Sequence, residues 1–195
     1  MRLPRTAHDE QGWRIAGIAP DFEVEDVWAL PVHGGADDFP QLLEVMSHLS
    51  SDASPSRLSR ILFGVRWKLG EWFGWDEDGA LPIPGDDSTS LASRLPADLR
   101  GTTEEADFGS LPFDPLYKTD REAAAEISNT TVHAMMHLGW VDKGHGDHQG
   151  QMAVLVKPRG RFGTVYMDLI KPFRYWIVYP ALMRQVERAW DNRST

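Results

Sequence analysis

The chain has no cysteine among its 195 residues. That absence excludes disulfides, thiolate metal sites and cysteine nucleophiles, and it does not identify a compartment. Also missing is any stretch near the roughly 18 consecutive apolar residues of a membrane span. The opening MRLPRTAHDEQGWR lacks the apolar run of a secretory signal. A soluble, cytoplasmic protein without membrane insertion is the expectation. Positive charge is scarce: 20 Lys and Arg face 29 Asp and Glu, for a formal charge of −9. Such a balance argues against a nucleic-acid backbone or an anionic membrane as the main partner. There is no G-x-G-x-x-G and no G-x-S-x-G, so neither a dinucleotide fingerprint nor a hydrolase nucleophile elbow is present. No internal repeat is visible.

What is present fits one globular α+β domain. With 42% hydrophobic and 25% charged residues, a chain of this length buries roughly 70% of its unfolded surface. Residues 1–20 are polar and mixed, and read as an arm; 21–195 read as a single domain. In PDFEVEDVWALPV, Phe22, Val24, Trp28 and Leu30 share one parity, as in a half-buried strand. Asp26 interrupts that face and marks a bulge or an edge. Beyond His33-Gly34-Gly35, Phe39, Leu42, Leu43, Met46 and Leu49 form one helical face, with Asp37 as N-cap and Pro40 tolerated in the first turn. Ser54 and Pro55 open a second helix through Leu58, Ile61, Leu62, Val65, Leu69, Trp72 and Phe73. The short link between these helices predicts a compact V.

Residues 76–112 are rich in Gly, Pro, Asp and Ser and read as a long loop, a lid or a mobile excursion. Strand patterns follow at Phe113–Lys118, Thr130–Val141, Gln151–Lys157 and Phe162–Ile170. Turns at 143–146 and 158–161 suit antiparallel hairpins. TDREAAAEIS, 119–128, has helical local propensity, but its sheet context favours a strand. The chain closes on YMDLIKPFRYWIVYPALMRQVERAW. From Pro172 this segment is an amphipathic helix whose apolar stripe is Tyr175, Val178, Tyr179, Leu182, Val186, Ala189 and Trp190. Pro180 removes one internal hydrogen bond and bends the axis, at a cost of roughly 3 kcal/mol.

The stretches PDFEVEDVWALP, FGVRWKLGEWFGWD, TVHAMMHLGWV and LIKPFRYWIVYPALMRQVERAW resemble the DUF2867 domain family, which is grouped with the Bet v 1-like, or START-like (SRPBCC), helix-grip superfamily. The resemblance spans residues 20–190 and contains no catalytic motif. It implies a curved antiparallel sheet wrapped around the long C-terminal helix, with a cavity closed by the two-helix V. Related domains in that superfamily bind lipids, hormones or polyketides, and some catalyse cyclisation, dehydration or hydrolysis. Some also occur beside dinucleotide-binding dehydrogenase domains, a role this chain lacks the motif for.

Several residues could carry chemistry. In 130–141 the polar set Thr131, His133 and His137 alternates with the apolar set Val132, Met136, Leu138 and Trp140, and the apolar set should face the helix. Four residues along a strand is about 13 Å, too far for both histidines to share a metal ion. The bland reading is two hydrogen-bonded histidines on a solvated or dimer-facing surface. As an enzyme, the chain would use His133 or His137 with Tyr166 and Asp168 as acid, base or orienter. His145, Asp147 and His148 have metal-ligand types but sit in a glycine-rich turn, so no metal and no cofactor are expected. Arg174 carries a planar fork suited to a carboxylate, either Asp168 or the acid group of a ligand. Trp28, Trp72, Tyr117, Trp140, Arg174, Tyr175 and Tyr179 are the candidate ligand-binding set. Three functions follow: a binding domain for a small apolar or amphipathic ligand, an enzyme built on the histidines, or a homodimeric interaction module.

Overall fold

A computed structural model of the protein describes residues 1–51, 90–103, 113–128, 132–158, 171–172 and 174–193. The second helix of the V, the strand expected over 162–170, and with them Trp72, Tyr166 and Asp168, lie outside the described residues. The described part is an α+β arrangement around one six-stranded antiparallel sheet. Its strands are β1 (Arg2–Leu3), β2 (Glu23–Gly34), β3 (Asp114–Lys118), β4 (Glu122–Ser128), β5 (Val132–Gly144) and β6 (Asp147–Pro158). They lie in the order β1-β2-β6-β5-β4-β3. Residues 122–128 are therefore a strand, as their sheet context required, despite the alanine run. The β5–β6 hairpin turns on His145 and Gly146, at φ of 55° and 80°. Two left-handed residues in succession are what a two-residue hairpin loop matching the sheet twist demands.

The bulge expected at Asp26 is present, and it does more than interrupt a face. Val24 pairs with Leu155 and Asp26 with Val154, leaving Glu25 as the extra residue. One added residue reverses the alternation. Phe22 and Val24 consequently pack on one side of the sheet, while Trp28 and Leu30 pack on the other, contrary to the single parity read from the sequence.

Each face of the sheet carries its own core. On the first lie α3 (Phe39–Ser51) and the C-terminal helix α4 (Tyr179–Asn192), which seal Leu30, Val32, Met136, Leu138, Trp140 and Met152. A short 3-10 turn, Ala36–Asp38, leads into α3. The Asp38 carboxylate accepts the Gly35 N–H at 2.8 Å, so Asp38 rather than Asp37 satisfies the chain entering this helix. Phe39, Leu42, Leu43 and Met46 are buried as their spacing predicted.

The second face was expected to be solvated or to meet another copy. Instead the chain covers it with its own N-terminal arm and with part of the long loop. α1 (Thr6–Asp9), α2 (Ile15–Ile18) and the 3-10 turn Leu91–Arg94 bring Trp13, Ile15, Ile18, Leu91, Leu95 and Leu99 against Met135, Ala153 and Leu155. Gly139 permits this cover, because a Cβ there would stand 2.5 Å from the Trp13 ring. The arm is thus an integral layer, and residues 90–103 are a packed part of the 76–112 excursion.

Ahead of α4, residues Arg174–Val178 form a π-helical turn, with Pro180 in the first turn of the α-helix that follows. The broken hydrogen-bond ladder expected at Pro180 is accommodated here, where i→i+5 bonding replaces the regular pattern. No helix among the described residues is long and apolar enough to cross a membrane.

Candidate functional site

The residue that interrupts β2 becomes a hub on the helix face. Asp26 has a fully buried side chain. Its Oδ1 accepts the Tyr175 hydroxyl at 2.5 Å, and its Oδ2 accepts the Tyr179 hydroxyl at 3.0 Å and the Arg174 guanidinium. Arg174 Nη2 also donates to the Tyr179 oxygen at 2.8 Å. A buried carboxylate is tolerated only when paired and hydrogen-bonded, and Asp26 is both. The π turn makes this convergence possible. Positions five apart share a face when bonding runs i→i+5, so Arg174 and Tyr179 reach the same carboxylate.

Around the hub, the Trp28 ring packs 4.7 Å from Tyr179 and 6.4 Å from Tyr175. From the arm, Arg2 lays its guanidinium 4.4 Å over the Tyr175 ring and donates to its hydroxyl at 3.1 Å. Beside them Glu25 meets Arg5 at 3.3 Å and Lys171 at 3.0 Å. Burial, reinforced by the Asp26 charge, pushes the Tyr175 phenol up to about 12 and raises Tyr179 as well. Burial lowers the Arg174 guanidinium, but Tyr179 and Asp26 outweigh it and hold its pKa above the ordinary value. The phenols therefore stay protonated near neutrality and serve as donors rather than bases.

Of the ligand-binding residues read from sequence, Trp28, Arg174, Tyr175 and Tyr179 come together here. Arg174 does find a structural carboxylate, but it is Asp26. Trp140 lies elsewhere on the same face, donating its Nε1–H to the Gly35 carbonyl at 2.8 Å and packing against Trp190. Tyr117 lies on the opposite face, fully buried, with its hydroxyl on Glu122 at 3.3 Å.

That opposite face holds both candidate histidines. His137 Nε2 meets Glu122 at 2.9 Å and His133 Nε2 meets Glu126 at 2.7 Å. Each glutamate also receives a backbone N–H from a covering segment. Glu122 takes that of Arg14 at 2.9 Å, just ahead of α2, and Glu126 takes that of Leu91 at 3.1 Å together with the Ser90 hydroxyl at 2.6 Å. Burial raises the Glu126 carboxyl, but the hydrogen bonds from His133, Ser90 and Leu91 outweigh it and hold it below the usual range. The second ring nitrogen of His137 faces His8 Nε2 at 3.2 Å. Sequence reasoning did not single out Glu122, Glu126, His8, Arg2 or Asp26 for the site.

At the hairpin, His145 and Asp147 are exposed, and Asp147 pairs with His33 at 3.2 Å. Among the described residues, no group of three or more His, Asp or Glu is arranged to hold a metal ion.

These features define the class: an α+β protein whose antiparallel sheet carries a C-terminal helix pinned by a buried Asp–Arg–Tyr–Tyr hub. Residues 18–181 match the family model described as protein of unknown function (DUF2867), and the chain belongs to that family. Comparison with curated proteins and with solved structures returned no match.

Proposed function

We propose that this protein binds a small apolar or amphipathic molecule between its sheet and its C-terminal helix, in the manner of the helix-grip domains it resembles. The observation that supports this is the state of Trp28. Its Nε1–H is buried and has no hydrogen-bond partner, while the ring as a whole is only half-buried beside the half-buried Tyr175. An unpaired buried donor costs about 1–3 kcal/mol, and an acceptor on a bound molecule would recover it. Trp13 Nε1 and Gln151 Oε1 are also unpaired, but the arm closes over both residues. His148 Nδ1 is unpaired in a half-buried ring near the β5–β6 turn, whereas Trp28 is the one packed among the aromatic rings of the hub. The Asp26 hub would serve such a site by fixing the aromatic walls, since a pocket that is rigid before binding loses less entropy on binding.

A panel of lipids, polyketides and aromatic acids, screened by thermal shift, tests this reading. A ligand at about 100 times its Kd should stabilise the fold by about 2.7 kcal/mol. In Trp28→Phe, which removes the donor and keeps the aromatic packing, that gain should shrink while the ligand-free melting point stays close to wild type. No shift across the panel would count against the proposal. The enzyme reading through His133 and His137 has less support, since each ring is committed to a buried glutamate. Homodimerisation is favoured by one observation, the exposure of Trp176 (81%) and Ile177 (43%) on the π turn. Light scattering at high concentration tests it.

A further inference from the structure

The N-terminal arm touches both faces of the sheet. Met1 to Leu3 run along the β2 edge, with Ala29 and Met1 exchanging backbone hydrogen bonds at 2.8 Å in each direction. From that edge Arg2 reaches the Tyr175–Asp26 hub. Five residues on, the chain has crossed to the opposite face, where His8 is 3% exposed. His8 is therefore a buried polar side chain of the arm that contacts His137 directly, while the Arg14 N–H, further along the arm, holds Glu122.

The geometry of that contact limits how many protons it can hold. His8 Nε2 and His137 Nδ1 stand 3.2 Å apart, with the rings nearly perpendicular. One hydrogen fits between two facing nitrogens and makes a hydrogen bond; two would point at each other. Since His137 Nε2 is turned to Glu122, a first added proton can rest on His137 as part of an ion pair. A second proton has no such place. The groups around His8 are few. From its own helix, Asp9 Oδ1 lies 3.9 Å from Nδ1 and is mostly exposed. From β5 comes His137, from β4 Glu122 through His137, and from β3 Tyr117 through Glu122. Trp13, which has the Arg121 guanidinium 4.6 Å from its ring, and Gln151 of β6, which donates to Ala7 O, complete the surroundings. Among the described residues, the only carboxylate near His8 and not already committed is the solvent-facing Asp9.

We infer that the N-terminal arm is a pH-sensitive latch: protonation of the His8–His137 pair beyond one proton releases residues 1–18 from the sheet while the sheet itself stays folded. Release would uncover the β2 edge and lift Arg2 from Tyr175, so acidification on one face would change access to the hub on the other.

The sign follows from the two states of His8. Burial, and then the neighbouring His137, push the docked imidazole down to about 3, whereas a freed one titrates near its ordinary 6.5. The released arm therefore takes up a proton that the docked arm refuses. Docking is fully favoured above about pH 6.5 and weakens by about tenfold per pH unit below it.

Hydrogen exchange of the full chain, followed by mass spectrometry and expressed as protection relative to intrinsic exchange, reads this directly. Between pH 7.5 and 5.5, protection of peptides from residues 1–18 should fall by about tenfold, with β5 and β6 peptides unchanged. His8→Gln retains an N–H for His137 but cannot titrate, and should abolish the response. Three results would overturn the latch: protection of the arm that does not vary with pH, the same response in His8→Gln, or loss of β5 and β6 protection together with the arm. If His8→Gln leaves the arm undocked at pH 7.5, the wild-type His8 ring resonance decides by NMR. Proton uptake should coincide with loss of arm protection, and uptake with the arm still protected would end the proposal.

Discussion

The sheet buries carboxylates on both faces and partners them differently. Asp26, on the helix face, is satisfied by side chains from one short helical stretch, Arg174, Tyr175 and Tyr179. Glu122 and Glu126, on the arm face, each take a histidine from the neighbouring strand and a backbone N–H from a covering segment. A carboxylate holding backbone N–H groups is a staple: it fixes where a segment begins and leaves little for a visiting molecule. Beside the one held by phenols and a guanidinium, an unpaired indole N–H is left as a donor that a ligand could use. The hub is therefore the better functional candidate, even though the histidines on the arm face attract the eye in the sequence.

Breaking the hub should have the largest effect. Arg174→Met leaves Asp26 buried with only the half-exposed Arg2 guanidinium, 3.8 Å away, as counter-charge, and should cost about 3–5 kcal/mol in denaturant-measured stability. Adding Asp26→Asn should recover part of that loss, because a neutral amide needs no counter-charge while its oxygen can still accept a phenol hydroxyl. If the single variant is as stable as wild type, Asp26 is not the anchor of the helix.

A smaller loss is expected from Gly139→Ala, which places a methyl group against the Trp13 ring. Overpacking of this kind costs about 1–3 kcal/mol. The loss should appear as reduced protection of residues 1–18 in hydrogen exchange, with the α4 amides unaffected. Equal loosening of α4 would show that the two faces are one cooperative unit and remove the contrast.

Least affected should be Asp21→Asn. Asp21 makes contacts as short as the buried carboxylates do, to Arg94 at 2.7 Å and Lys157 at 2.6 Å, which hold its carboxyl below the usual range. Its partners are nearly half exposed, so solvent screens them, and the change should cost about 0–1 kcal/mol. A loss as large as that of Arg174→Met would mean that burial is not what separates these carboxylates.

Much of this architecture was legible because it rests on local periodicity. The apolar face of α3, the strand alternation of β5, the bulge at Asp26 and the final helical stripe all follow from residues close in sequence. What could not be read needed register. EAAAE on β4 and HAMMH on β5 have the same spacing. Glu122 lies opposite Gly139, and Glu126 opposite Met135, so each glutamate meets the histidine two places before its partner on β5. The matched spacing was a usable signal, but only once the two strands were known to pair. The cover on that face was hidden for another reason: α1 and α2 are single turns, too short to show a period. Arg174 illustrates the third limit, since its partner lies 148 residues away while a nearer aspartate, Asp168, was the local guess.

The π turn at Arg174–Val178 amounts to one supernumerary residue wound into an otherwise regular helix. Deleting Trp176, Ile177 or Val178 would bring the turn back to α-helical winding and rotate Arg174 by about 100° relative to Trp190. Arg174 would then swing away from Asp26 although no interacting side chain had been altered. For this segment, chain length carries as much information as residue identity, and an aligned relative lacking that single position should also lack the aspartate in β2.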